Sequence, residues 1–133
     1  MREIKFRGKR IDNNEWVYGY YVKGYHKSYI VYEAYDDDYF LSPKNVFIQV
    51  IPETVGQFTG LKDKNGVDIY DGDIVKMPLE GETIIIWNED ISSFQYAYNA
   101  IGKGTSIGGR MTNTLYKIYS STRYEVVGNI HNK

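Results

Sequence analysis

Apolar residues in this chain recur mostly at every second position, not at the 3.6-residue spacing of a helix, and this alternation constrains the fold more than any other feature. In "EIKFR", Ile4 and Phe6 alternate with Glu3, Lys5 and Arg7. Asn13-Asn14 then offers turn chemistry ahead of "WVYGYYV", Trp16 to Val22, so the opening reads as a β-hairpin. "SYIVYEAY" supplies a third strand, broken by Asp36 to Asp38, and "VFIQVI" a fourth, closed by Pro52. Ser42 and Pro43 in "SPKN" carry the signal for one helical turn, Ser as N-cap and Pro at the first helical position. "TVGQF" reads as a short strand and Thr59-Gly60 as a turn. In the second half "GDIVKM", "ETIIIW", "SFQYAY" and "YEVVGNI" are strands, with "PLEG" and "NEDIS" between them. The Gly-rich "NAIGKGTSIGG", 99–109, reads as a mobile loop, and "NTLYKIYSS", 113–121, is open between strand and short helix.

Many short strands with a turn signal every 8 to 12 residues predict a mainly β protein with minor α content. The expected division is an N-terminal β subdomain over 1–52 and a C-terminal small SH3-like barrel over 53–133. At 133 residues the chain has room for one compact domain or two small subdomains, and a separate catalytic domain beside a binding domain would be crowded.

Composition removes several function classes. There is no cysteine, hence no disulfide framework, thiolate zinc site, iron–sulfur cluster or thiol nucleophile. No apolar run approaches the ~18 residues of a membrane span. "MREIKFRGKR" is basic but lacks the apolar stretch of a secretory signal, so the chain is expected to begin at Met1 and to stay in the cytoplasm. Fourteen tyrosines suit strands, where rings pack across neighbours, and also wet interfaces, where a ring can be apolar at one end and hydrogen-bonded at the other.

The segment "VGQFTGLKDKNGVDIYDGDIVKM", 55–77, crowds Asp63, Asp68, Asp71 and Asp73 among glycines. An EF-hand loop starting at Asp63 would need oxygen ligands at its positions 1, 3 and 5, Gly at 6 and Glu at 12, but Val67 falls at 5 and Ile74 at 12. Paired catalytic carboxylates must converge across a pocket, and nothing in this order requires it. Turn chemistry accounts for more residues: Asn65-Gly66 fits a type I′ turn, and Asp71-Gly72 a second turn before "DIVKM", with Ile69, Ile74 and Val75 facing the core. His26 and His131 lack the paired spacing of a zinc site and read as surface residues. No Walker A, dinucleotide, G-x-S-x-G or H-E-x-x-H motif occurs, and "GKGTSIGG" resembles a phosphate loop only in composition.

Charge is unevenly placed. The first ten residues hold Arg2, Lys5, Arg7, Lys9 and Arg10 against Glu3, and on an extended strand Lys5, Arg7 and Lys9 share one face that could track a phosphate backbone, with Arg10 beside them. The competing explanation is an edge strand guarded by cations against aggregation. Residues 60–90 are net acidic and 101–133 net basic, while the whole chain carries only −1, which argues against a broad nucleic-acid footprint and suits like subunits meeting basic end to acidic middle. "EAYDDDYF" reads as a solvated loop that could also meet a cationic partner.

"VGQFTGLKDKNGVDIYDGDIV", with the opening "REIKFRGKR" and the closing "YEVVGNI", resembles the signature of the YopX family, small proteins encoded mainly by bacterial phages and prophages. The resemblance implies a phage-derived, intracellular, β-rich protein of undetermined biochemical role that works as an assembly of identical subunits, and it brings no catalytic residues. The leading expectation is a non-enzymatic, self-associating binding module for another protein, without cofactor, metal or membrane, in the cytoplasm of a bacterial host. One alternative is a nucleic-acid-binding module using Lys5, Arg7, Lys9 and Arg10 with tyrosine stacking; another is a metal-dependent hydrolase using Asp68, Asp71 and Asp73.

Overall fold

A computed structural model describes residues 3–36, 39–77, 81–88, 93–98, 106–110 and 123–132. The expectations for "PLEG", "NEDIS", the 99–105 loop and the 113–121 segment fall wholly or mainly outside these residues. The chain is mainly β, every strand pairing among the described residues is antiparallel, and contacts divide the chain into two units, 1–57 and 58–133. Among the described residues no helix is long and apolar enough to cross a membrane.

The first unit is built from β1 (Phe6–Lys9), β2 (Trp16–Lys23), β3 (Ser28–Asp36) and β4 (Tyr39–Val50), in the hydrogen-bonded order β4-β3-β2-β1. The β1–β2 loop turns on Asn14, whose φ of 59° asparagine tolerates better than most residues. Alternation sorts the side chains into two faces. Ile30 and Val50 are fully buried on one, Gly8 faces Val50 so closely that a Cβ would lie 3.0 Å from the valine Cβ, and Tyr21 packs on Phe6 at 5.6 Å and meets the Ser28 hydroxyl at 3.2 Å. The ladder's first and last strands meet at one end, where Arg10 bridges Val50, Ile11 N–H donates to Gln49, and Ile51 N–H donates to Lys9.

Two local expectations in this unit are overturned. Ser42 to Asn45 do not start a helical turn: β4 runs extended through them because Lys44 and Asn45 pair with Ala34 and Glu33 of β3. The 3-10 turn instead forms at Pro52–Thr54, where Thr54 Oγ1 donates to the Ile51 carbonyl at 2.6 Å and accepts the Lys9 N–H at 2.9 Å. Lys5 lies before β1, so the strand itself carries only Arg7 and Lys9 of the expected cationic row.

Strand β5 (Gly56–Lys62) contains the division between the units; Gly56 and Gln57 pair with β1, and Phe58 onward belongs to the second unit. There it pairs with β6 (Asp68–Tyr70), and a five-stranded ladder runs in the order β10-β9-β8-β7-β11, formed by β7 (Asp73–Met77), β8 (Gly81–Asn88), β9 (Ser93–Tyr98), β10 (Ser106–Arg110) and β11 (Glu125–Asn129). Among the described strand pairings this ladder is open, with β10 and β11 at its edges, so the closure of an SH3-like barrel is not seen in it. Residues 106–109, expected in a Gly-rich loop, lie in β10.

The core of this unit is Leu61, Ile69, Val75, Met77, Ile85 and Phe94, with Tyr96, Tyr124 and Val126 packed against it. Full burial of such side chains stabilises by about 1.5–3 kcal/mol each. Ile69 and Val75 face this core as expected, while Ile74 is only half-buried. Thr59-Gly60 is a bulge inside β5, not a turn between strands. The register slips between the pairs Phe58–Tyr70 and Lys62–Asp68, Gly60 takes φ 86°, and Thr59 Oγ1 donates to Ile69 at 2.7 Å while accepting the Leu61 N–H at 3.1 Å.

Candidate functional site

The acidic, Gly-punctuated segment distributes its carboxylates over separate structural tasks. Asp63 is buried, and its Oδ1 accepts the N–H of Asn65 and of Val67, both at 2.8 Å, while Oδ2 accepts the N–H of Val126 at 2.9 Å. Beside it the Lys64 N–H donates to the Tyr124 carbonyl at 2.9 Å. One side chain therefore shapes the β5–β6 turn and ties it to β11, a strand 63 positions away. The turn differs from the type I′ form expected. Asp63 N–H donates to Val67, Gly66 N–H donates to Asp63, and only Gly66 takes a positive φ, of 80°. That is a three-residue loop ending in a left-handed glycine, favoured here because the Asp63 carboxylate holds the Asn65 amide in a right-handed turn.

The other three carboxylates point elsewhere. Asp68 pairs with Lys62 Nζ at 2.8 Å, Asp71 Oδ1 accepts the Trp87 N–H at 3.1 Å, and Asp73, fully buried, accepts the Tyr70 N–H at 2.7 Å. Gly72 between them, at φ 90°, donates its N–H to Ile85 and accepts from Ile130, and a Cβ at this position would lie 3.3 Å from His131 Nε2. Among the described residues no group of three or more His, Asp or Glu gathers as a metal could require. The geometry that Asp63, Asp71 and Asp73 do have is that of acceptors for backbone amides, which stabilises turns and strand ends.

The cations of the N-terminal strand are likewise engaged within the chain. Arg7 is buried, with its guanidinium 4.5 Å from the centroid of the Trp16 ring, and Lys9 Nζ lies 5.5 Å from the same ring. Arg10 grips Asp12 through two bonds of 2.9 and 2.8 Å, which raises the arginine's already high pKa and holds the Asp12 carboxyl below its ordinary value. Lys5 lies 3.7 Å from Glu3. Arg7 and Lys9 do share a face of β1, as their spacing requires, and both lie against Trp16 on it.

What the molecule leaves open is the same face further along. Opposite residues share a face in an antiparallel ladder, so the register Tyr20–Val31–Phe47 and Val22–Tyr29–Gln49 continues the side marked by Trp16 and Tyr18 across β2, β3 and β4. Tyr18 is 48% exposed, Tyr20 65%, Val22 41% and Phe47 58%, and Tyr29 stands edge-on to Phe47 at 6.3 Å. The sequence held a signal for this face. "WVYGYYV" places large apolar residues in both phases of the alternation, so one set must lie outside when the other fills the core.

Comparison with curated proteins finds no match. The sequence model described as YopX protein matches residues 5–133. That match takes in both units and both ends of the strand order, and the bulge, the Asp63 turn and the Gly72 turn are the structural content of the segment that carries the resemblance. The chain belongs to the YopX family.

Proposed function

We propose that the chain is a non-enzymatic, self-associating binding module that packs the outward face of β2, β3 and β4 against the same face of a second copy. The observation that carries this reading is the exposure of Tyr18, Tyr20, Val22 and Phe47 on one continuous side of the ladder. Contiguous apolar faces are uncommon on chains that remain alone. Homodimer interfaces are more apolar than transient ones and poor in charge at their centre, which fits this face better than an anionic partner does. A two-fold axis sets a surface against itself, which aromatic and aliphatic side chains tolerate and a patch of one charge does not. Residues 1–57 hold eight acidic and eight basic side chains, so two copies meet without net repulsion.

In this reading the assembly works in the cytoplasm of a bacterial host as a phage- or prophage-derived component, needs no cofactor, and offers its remaining surface to another protein. The second unit is taken as a small SH3-like fold, supported by its short antiparallel strands and by the Asp63 turn reaching β11 where ladder pairing ends.

Light scattering over a wide concentration range tests the self-association. The expected mass is a multiple of 15.5 kDa for the wild type and 15.5 kDa for Tyr20→Glu combined with Phe47→Glu. A wild-type chain that stays at 15.5 kDa at its highest soluble concentration rules the reading out.

A further inference from the structure

The β2–β3 hairpin ends in "KGYHK", Lys23 to Lys27. Gly24 N–H donates to the Lys27 carbonyl at 2.8 Å, which closes a tight loop around Tyr25 and His26. Gly24 fits tightly there, since a Cβ would lie 3.0 Å from the Lys27 carbonyl oxygen. Tyr25 is 96% exposed, the most exposed of the large hydrophobic side chains among the described residues, and stands edge-on to His26 at 4.6 Å. Lys23, His26 and Lys27 are all exposed. Among the described residues neither lysine forms an ion pair, in contrast to Lys5, Arg10 and Lys62.

The geometry points to this hairpin tip as a contact for single-stranded nucleic acid, with Tyr25 stacking on a base and Lys23 and Lys27 meeting the flanking phosphates. A ring this exposed gains little from the fold, and a tight loop holds it out at small entropic cost on binding. Base–aromatic stacking is tolerant of sequence, and uncompensated lysines beside the ring are what a phosphate backbone requires. A duplex hides the faces of its bases, so the ring selects for an unpaired strand. This contact is separate from the outward face of β2–β4 and does not depend on the self-association proposed for it. It also replaces the N-terminal strand as the cationic contact: Arg7 and Lys9 lie over Trp16 and Arg10 grips Asp12, whereas the tip is open.

The test is fluorescence anisotropy of a labelled oligothymidylate with the full chain over stepped salt. Binding should weaken with salt at a slope of about −1.4, the value for two phosphates on a single strand. Tyr25→Ala should weaken binding by about 5-fold or more, as loss of one stacked base does, while Tyr25→Phe retains it. Lys23→Glu with Lys27→Glu should flatten the salt slope. Because these side chains are exposed, thermal midpoints of the variants should match the wild type, which separates lost binding from lost folding. No binding at low salt, an unchanged Tyr25→Ala affinity, equal affinity for a duplex of the same length, or equal competition by polyglutamate would each overturn the assignment.

Discussion

In the acidic segment of the second unit the charged residues are turned to structural use, as the turn spacing predicts, whereas the outward face of the first unit leaves large rings exposed. Asp63 and Asp73 are acidic residues yet are buried, with their carboxylates holding backbone amides, whereas Tyr18, Tyr20, Val22 and Phe47 are large, mainly apolar side chains yet stand exposed. The lesson is that residue type gives a poor guide to availability. A carboxylate that accepts several amides is engaged within the fold, and a ring on a strand's outward phase can stand exposed.

The sharpest way to break this comparison is to remove the most connected carboxylate. Asp63→Ala orphans the amides of Asn65, Val67 and Val126, and with charge-assisted bonds worth about 1.5–3 kcal/mol apiece but not additive, we expect a loss of about 3–4 kcal/mol in urea unfolding. If Asp63 were instead poised for chemistry or metal, the same change would leave stability nearly untouched. Next in size is Gly72→Ala, which forces a side chain to φ 90° against His131 and should cost about 1–3 kcal/mol by the same measurement. Gly66→Ala isolates the conformational part, since its Cβ would meet nothing within 4 Å; about 1 kcal/mol is expected.

Asp68→Asn provides the contrast within the segment. Its partner Lys62 is exposed, so the change should cost under about 1 kcal/mol and shrink further in salt. The smallest effect belongs to Asp12 on the first unit. Its carboxyl is lowered chiefly by the hydrogen bonds from Arg10, so the stabilisation is present above the ordinary carboxyl range and is lost as pH falls through the lowered value. A titration followed by NMR should place the Asp12 midpoint below that of a free aspartate, and Arg10→Gln should restore the ordinary value.

Much of the strand order was legible because period-two alternation and Asn or Gly turns are local signals. Trp16 to Val22, Asp73 to Met77 and Glu125 to Asn129 all lie where alternation placed strands. What escaped was set by distant partners. The extended course of Ser42 to Asn45 comes from pairing with β3, which overrides the local Ser-Pro signal. The bulge at Thr59-Gly60 depends on Ile69 across the hairpin, and the form of the Asp63 turn depends on a carboxylate that also reaches Val126. The structural role of the acidic segment could be argued from spacing alone, but which amide each aspartate holds could not. The cationic row at the N-terminus was readable as a face, yet its cover, Trp16, lies on the neighbouring strand.

Amide hydrogen exchange at two widely separated protein concentrations tests both halves of the comparison at once. Slow exchange at Asn65, Val67, Tyr70 and Val126 should not change with concentration, because one chain supplies every partner, while amides of β2, β3 and β4 should gain protection as concentration rises. Rapid exchange at the Asp63-bound amides, or β2–β4 protection indifferent to concentration, would contradict the account.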